Sequence, residues 1–219
     1  MPGVPDDVIF ARNQAGAPIT WGQVRANPDR AYRVRCLADR LRSFMVAQYR
    51  ELGQKNINGP FILGMTVMTG VEILGKIFYA MPAPDDPGEA NKVAFCRFCA
   101  QLHQRFGRPP SKDFKDAFVA RWGGEKPESV SAILYRYFRN TLVHGFYGKA
   151  VFLTGQDTDD LLLRDDGCVV VHPDWLLQRF IAAAERHVNE LLVAPPQSSL
   201  RRNALNYLHE LLDEPAEDG

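Results

Sequence analysis

The sequence predicts a mainly α-helical protein with a small β-hairpin or ribbon inserted before a long closing helix. Three observations carry that reading. Apolar residues recur at helical spacing through residues 28–52, and a second, almost wholly apolar run fills 60–81. Between about 148 and 172 the period shortens to brief leucine and valine runs around Asp165-Asp166-Gly167, a strong turn signal. Elsewhere capping residues, glycines and prolines cut the chain into helix-sized pieces.

Residues 1–27 are rich in Pro, Gly and polar groups and read as an extended arm anchored by Val8–Phe10 and Trp21. Asn27-Pro28 has the form of an N-cap followed by proline at the first helical position. In the helix that follows, Val34, Leu37, Ala38, Leu41, Phe44, Met45, Tyr49 and Leu52 share one arc, and Gly53 is a natural stop. The opposite arc carries Arg33, Arg35, Arg40, Arg42 and Arg50, a row that is either a solvated face or a contact for phosphates.

Residues 60–81 have the length of a membrane span, but they contain Glu72 and Lys76. Each charge near the middle of a membrane helix costs about 2.5–3.5 kcal/mol, so a buried central helix is the better reading. Gly64, Gly70 and Gly75 fit such a helix if neighbours pack closely against them. Glu72 and Lys76 are in the favourable order for a helix ion pair; the other reading is that Glu72 faces an arginine of the 132–147 helix.

Asp86-Pro87 opens a third helix running to Arg105 and closed by Gly107. It places Cys96, Cys99 and His103 on one face. Three ligands fall short of a structural zinc set, and buried small hydrophobes are the simpler account of the cysteines. Ser111 caps a short helix through Trp122, Gly123-Gly124 breaks it, and a further helix spans about Ser129 to His144, stopping at Gly145. After the β segment, His172-Pro173-Asp174 leads into a long helix from Trp175 to about Val193. Pro195-Pro196 ends it, and Ser198 or Ser199 caps a last helix before the acidic tail at 214–219.

Bulk properties restrict the function. Lys and Arg balance Asp and Glu at 26 each, so no global field recruits nucleic acid or membrane, and such contacts need a local patch. Four unevenly spaced cysteines do not form a secreted disulfide framework, and the first residues lack the pattern of a signal peptide. The expectation is a cytoplasmic protein with reduced thiols and no membrane partner, residues 28–213 forming a single helical domain.

The chemistry gathers on Ala132–Tyr147. At about 100° per residue, Arg136, Arg139, Asn140, His144 and Tyr147 occupy one arc of about 140°, with Leu134, Phe138 and Leu142 near the opposite side. No Asp or Glu occurs between Glu128 and Asp157, which makes the local sequence basic. Arginine offers a fixed-charge fork suited to a phosphate, histidine exchanges a proton near neutral pH, and asparagine orients either partner. Together they suffice to cleave an RNA phosphodiester with the ribose 2′-OH as nucleophile and no metal or other cofactor. The plainer reading is a helix with exposed arginines and a C-terminal histidine that suits the helix dipole.

The segment Arg139-Asn140-Thr141-Leu142-Val143-His144-Gly145, at the end of a helix in an all-α core, resembles the signature of the HEPN superfamily. That signature is arginine, four to six residues, then histidine, with a polar residue directly after the arginine. More loosely the likeness extends over Pro28–Val193; the first 27 residues and the hairpin lie outside it. The resemblance implies a HEPN-like helical bundle and a metal-independent endoribonuclease of toxin–antitoxin or antiviral-defence type. It implies RNA as substrate, a homodimer with a composite site, and an antitoxin or defence-complex partner protein. Arg139 would stabilise the phosphorane, His144 would act as acid or base, and Asn140 would orient them. Arg136, Tyr147, Glu72, Arg33 and Arg40 complete the set of candidate substrate contacts. Two residues after His144 stands Phe146, where a subset of the family has a modifiable tyrosine. Two other Arg…His spacings, Arg97–His103 and Arg202–His209, lack either the polar second residue or a place in the core. The alternative function is a non-catalytic helical module that binds nucleotide or RNA, or assembles a partner enzyme.

Overall fold

The computed structural model describes residues 4–54, 59–80, 87–140, 150–154 and 160–214. It is mainly helical, with two small sheets among the described residues. The segment expected as an extended arm is instead a folded unit. Strand β1 (Ile9–Arg12) pairs antiparallel with β2 (Pro18–Thr20), and helix α1 (Trp21–Ala26) follows through a Thr20–Gln23 capping box. Asn13 Oδ1 closes the hairpin turn by accepting from the Ala15 and Ala17 N–H groups. The arm folds because it carries two aromatic rings with somewhere to go. Phe10 meets Trp21 edge-on at 5.0 Å, and both bury with Val24 against Cys36, Leu208 and Leu212.

Helix α2 (Arg30–Arg40) is capped by Asp29, while Asn27 accepts from the Asp29 N–H one step earlier. It runs on through a π-helical turn at Leu41–Val46 into α3 (Ala47–Gln54), so the long amphipathic helix is present but underwound at its middle.

Helix α4 (Pro60–Tyr79) lies at the centre, burying Val67, Met68, Val71, Leu74, Ile77 and Phe78. Among the described residues it is the one helix long and apolar enough to cross a membrane, and half of its most apolar stretch is buried within the fold. Its glycines are points of close approach. A Cβ on Gly75 would stand 2.7 Å from the Ala94 carbonyl oxygen, and one on Gly64 would stand 2.3 Å from Leu153 and 3.0 Å from Phe138. At Gly75 α4 meets helix α5 (Pro87–Leu102) backbone to backbone.

The chain leaves helical geometry at His103, whose Nδ1 caps the short α6 (Gln104–Gly107). Cys96, Cys99 and His103 therefore do not share a helical face: Cys99 is buried in the core, and the His103 ring lies against Trp175. Among the described residues no group of three or more His, Cys, Asp or Glu side chains is gathered as for a metal.

Helix α7 (Lys112–Trp122) starts at Ser111 and ends at Gly123, and α8 (Val130–Ile133) starts at Ser129, each serine accepting a backbone N–H. A second π-helical turn, Leu134–Arg139, continues α8.

The β insertion is larger than a hairpin. Strands β4 (Leu161–Leu163) and β5 (Val169–Val171) pair antiparallel around the expected turn, and β3 (Val151–Leu153) adds to the far edge of β5 in parallel. Val169, Val170 and Val171 are all buried, the uninterrupted apolar pattern of a strand covered on both faces. Helices α9 (Pro173–Val193) and α10 (Ser199–Leu212) close the fold, capped by His172 and Ser198.

Within this core His187 of α9 is buried among Phe78, Tyr79 and Phe98. Its Nδ1 lies 2.9 Å from the Ala183 carbonyl oxygen, which can only accept. Nδ1 therefore carries the proton, and Nε2 accepts from the Tyr79 hydroxyl, also at 2.9 Å.

Candidate functional site

The Ser129 cap, the buried Ile133, Leu134 and Phe138, and the close approach at Gly64 fix the helix that bears Arg139. Its last described turn is π-helical: the Asn140 N–H reaches back to the Tyr135 carbonyl, five residues earlier. The arc drawn at α-helical spacing fails across such a turn, because each i→i+5 bond takes in an extra residue. Arg136 and Arg139 consequently face different surroundings, with side chains 59% and 22% exposed.

Arg139 turns inward to α4. Its Nε and Nη2 groups donate to the same Glu72 carboxylate oxygen at 2.7 and 2.5 Å, and its Nη1 donates to Asn140 Oδ1 at 2.9 Å. Lys76 holds the other Glu72 oxygen at 3.4 Å. Both readings of Glu72 are thus realised at once. It is the counter-ion of Arg139 rather than a free contact for substrate. Three of the five guanidinium N–H groups are engaged in this way. The remaining two, on Nη1 and Nη2, meet no acceptor among the described residues and can serve a phosphate. Tyr135, one helical turn earlier, lies under the guanidinium at 5.7 Å. Burial, the largest influence, raises its phenol above the ordinary value; Arg139 lowers it and Glu72 raises it.

Arg136 and Asn140 line a cleft of about 350 Å³ with Glu89, Lys92, Glu125 and Glu128. Arg136 approaches Glu125 at 3.8 Å and rests over Tyr137. The expected basic surroundings are therefore mixed in charge. The acids come from α4, α5 and the loop before α8, beyond the window that looked free of them.

Arg33 and Arg40, expected as outward contacts, belong to the N-terminal core instead. Arg33 is 8% exposed, paired with Glu214 at 2.7 Å and bonded to the Asn27 and Arg25 carbonyls. Arg40 donates to the Phe10 carbonyl at 2.5 Å and its guanidinium covers Phe10 and Trp21. Folding of the N-terminal segment onto α2 covered this part of the stripe. His144 and Tyr147 lie outside the described residues. The structure thus brings together Arg139, Asn140 and Glu72, sets Arg136 on the adjoining cleft, and removes Arg33 and Arg40.

Lys76 and Tyr135 are participants that the sequence reading did not assign to the site. The spacing of four between Tyr135 and Arg139 was the available signal for one of them. Of the competing spacings, His103 is the cap of α6, and His209 is buried rather than on a solvated face. Comparison of the chain with family models, with curated proteins and with solved structures finds no match.

Proposed function

We propose that this protein is a metal-independent endoribonuclease of the HEPN type, a toxin or defence effector in the cytoplasm that works as a homodimer. The observation that carries the reading is the fixing of Arg139 by Glu72 and Asn140, which leaves two N–H groups of a charged fork, unengaged among the described residues, for a phosphate. In the proposed reaction His144, five residues on, takes the 2′-OH proton or protonates the leaving 5′-oxygen. The 2′-oxygen attacks phosphorus, the P–O5′ bond breaks, and the products carry a 2′,3′-cyclic phosphate and a 5′-hydroxyl. Arg139 balances the charge that develops on the phosphorane oxygens. Each protomer supplies one Arg and one His, so a dimer would double the set across its interface.

One observation favours a second reading. The Arg139–Glu72 pair ties two core helices together, as a purely structural ion pair does, and suits a non-catalytic module. Incubation of purified protein with RNA in excess EDTA separates the two. Cleavage leaving cyclic phosphate ends, lost in His144→Ala with an unchanged melting temperature, is the expected result. Intact RNA with wild type, or undiminished cleavage by Arg139→Ala/His144→Ala, overturns the proposal.

A further inference from the structure

The arginine row on the first long helix divides in the folded protein. Arg33 and Arg40 are tied into the N-terminal core, and Arg50 pairs with Glu185. Arg35 and Arg42 instead open onto a cleft of about 640 Å³, joined by Arg201 from α10 and by Asn13 and Gln14 from the β1–β2 turn. A single carboxylate, Asp39, stands against these three guanidinium groups in the lining.

Two of the arginines are only partly satisfied. Arg42 donates through Nη2 to Asn189 at 2.7 Å, and Arg201 through Nη2 to the Leu192 carbonyl at 3.1 Å. Arg42 Nη1 and Arg201 Nε are shielded from solvent and have no hydrogen-bond partner. A shielded donor left unpaired costs about 1–3 kcal/mol, more when it is charged, and arginine cannot relieve this by losing its proton. Three guanidinium groups, two of them with an unpaired donor, line the cleft together with two amide side chains and match an oxyanion with several acceptor oxygens. No aromatic ring is among the lining residues, so the site has no platform for a base. Its volume is in the range of small-molecule pockets, about 300–1,000 Å³.

We propose that this cleft binds a compact polyphosphate group, recognised by charge and oxygen geometry rather than by a base. Neither RNA cleavage nor Arg139 enters the argument, so its outcome is independent of the function proposed above. The test is titration calorimetry with inorganic pyrophosphate and tripolyphosphate, using wild type, Arg35→Gln and Arg42→Gln/Arg201→Gln. Wild type should bind tripolyphosphate more tightly than pyrophosphate, with affinity falling as salt rises. The exposed Arg35→Gln variant, checked for an unchanged circular dichroism spectrum, should weaken binding by about tenfold, one charge-assisted contact. The double variant should lose measurable binding. Failure of wild type to bind either probe overturns the assignment, as does binding by Arg35→Gln and the double variant at wild-type strength. Arg35-dependent binding of a single-stranded RNA without binding of either inorganic probe overturns it equally.

Discussion

One carboxylate oxygen of Glu72 receives both the Nε–H and an Nη2–H of Arg139, so a single acceptor on α4 fixes the orientation of the guanidinium. Removing that acceptor leaves a charge that is largely shielded and has lost two bonds. Glu72→Ala should lower stability by about 1–3 kcal/mol, whereas Glu72→Gln, which retains one acceptor oxygen, should lose less. Urea unfolding midpoints of the two variants and wild type check the order; midpoints in both variants equal to that of wild type would show that the pair contributes nothing.

Gly75→Ala sets two effects of opposite sign against each other. Helix propensity favours alanine by about 1 kcal/mol. The new Cβ, however, meets the Ala94 backbone at 2.7 Å, which yields only if α5 moves, and overpacking of that kind costs about 1–3 kcal/mol. Net destabilisation is expected, read as a lower thermal midpoint, and a rise would mean that the two helices separate without cost.

His187 should make stability depend on pH. Burial, the largest influence, holds its imidazole below the ordinary 6.5, while the Ala183 hydrogen bond acts in the opposite direction. Above the ordinary value the ring is neutral in both folded and unfolded chains, and its full contribution is present. As the pH falls below 6.5 the unfolded chain takes up the proton first, so stability declines until the folded ring also titrates. Denaturant midpoints measured from pH 7.5 down to about 5 should show this component in wild type and lose it in His187→Phe.

Arg33 and Arg35 are near neighbours with opposite expected outcomes. Arg33→Ala removes the Glu214 pair and two carbonyl contacts beneath the N-terminal unit. Limited proteolysis should then cut within the first 27 residues at protease levels that spare wild type. Arg35→Ala, on the exposed side of the same helix, should leave the digestion pattern unchanged. Loosening of both variants alike would contradict the division of the arginine row.

Features governed by neighbouring residues were legible in the sequence. Ser111 caps the helix it was expected to cap, Ser198 is the cap of the two serines offered for the last helix, the helix expected to start near Ser129 is capped by it, and Asp165-Asp166-Gly167 turns the expected hairpin, because each needs only a few local hydrogen bonds. What escaped depends on distant chain. Arg33 looked exposed because its partner, Glu214, lies near the other end of the sequence. The first 27 residues looked extended because the surface that buries Phe10 and Trp21 comes from α2 and α10. Parallel pairing of β3 with β5 leaves no local mark. In the candidate site, Arg139 and Asn140 were legible as a polar pair, and Glu72 as one of two ion-pair arrangements. The π-helical turn beneath them was not, since no composition specifies it.

That turn has a consequence for variation by insertion and deletion. The bond from the Asn140 N–H to the Tyr135 carbonyl encloses one residue more than an α-helical bond would. Deleting one residue inside Leu134–Arg139 allows the helix to close again in ordinary α form without breaking either neighbouring segment. Because the wider π-helical turn already takes up the surplus residue, such a deletion should leave a retained Arg139 on nearly its present side of the helix, facing Glu72. The turn thus tolerates a one-residue change in length without turning Arg139 away from its carboxylate on α4.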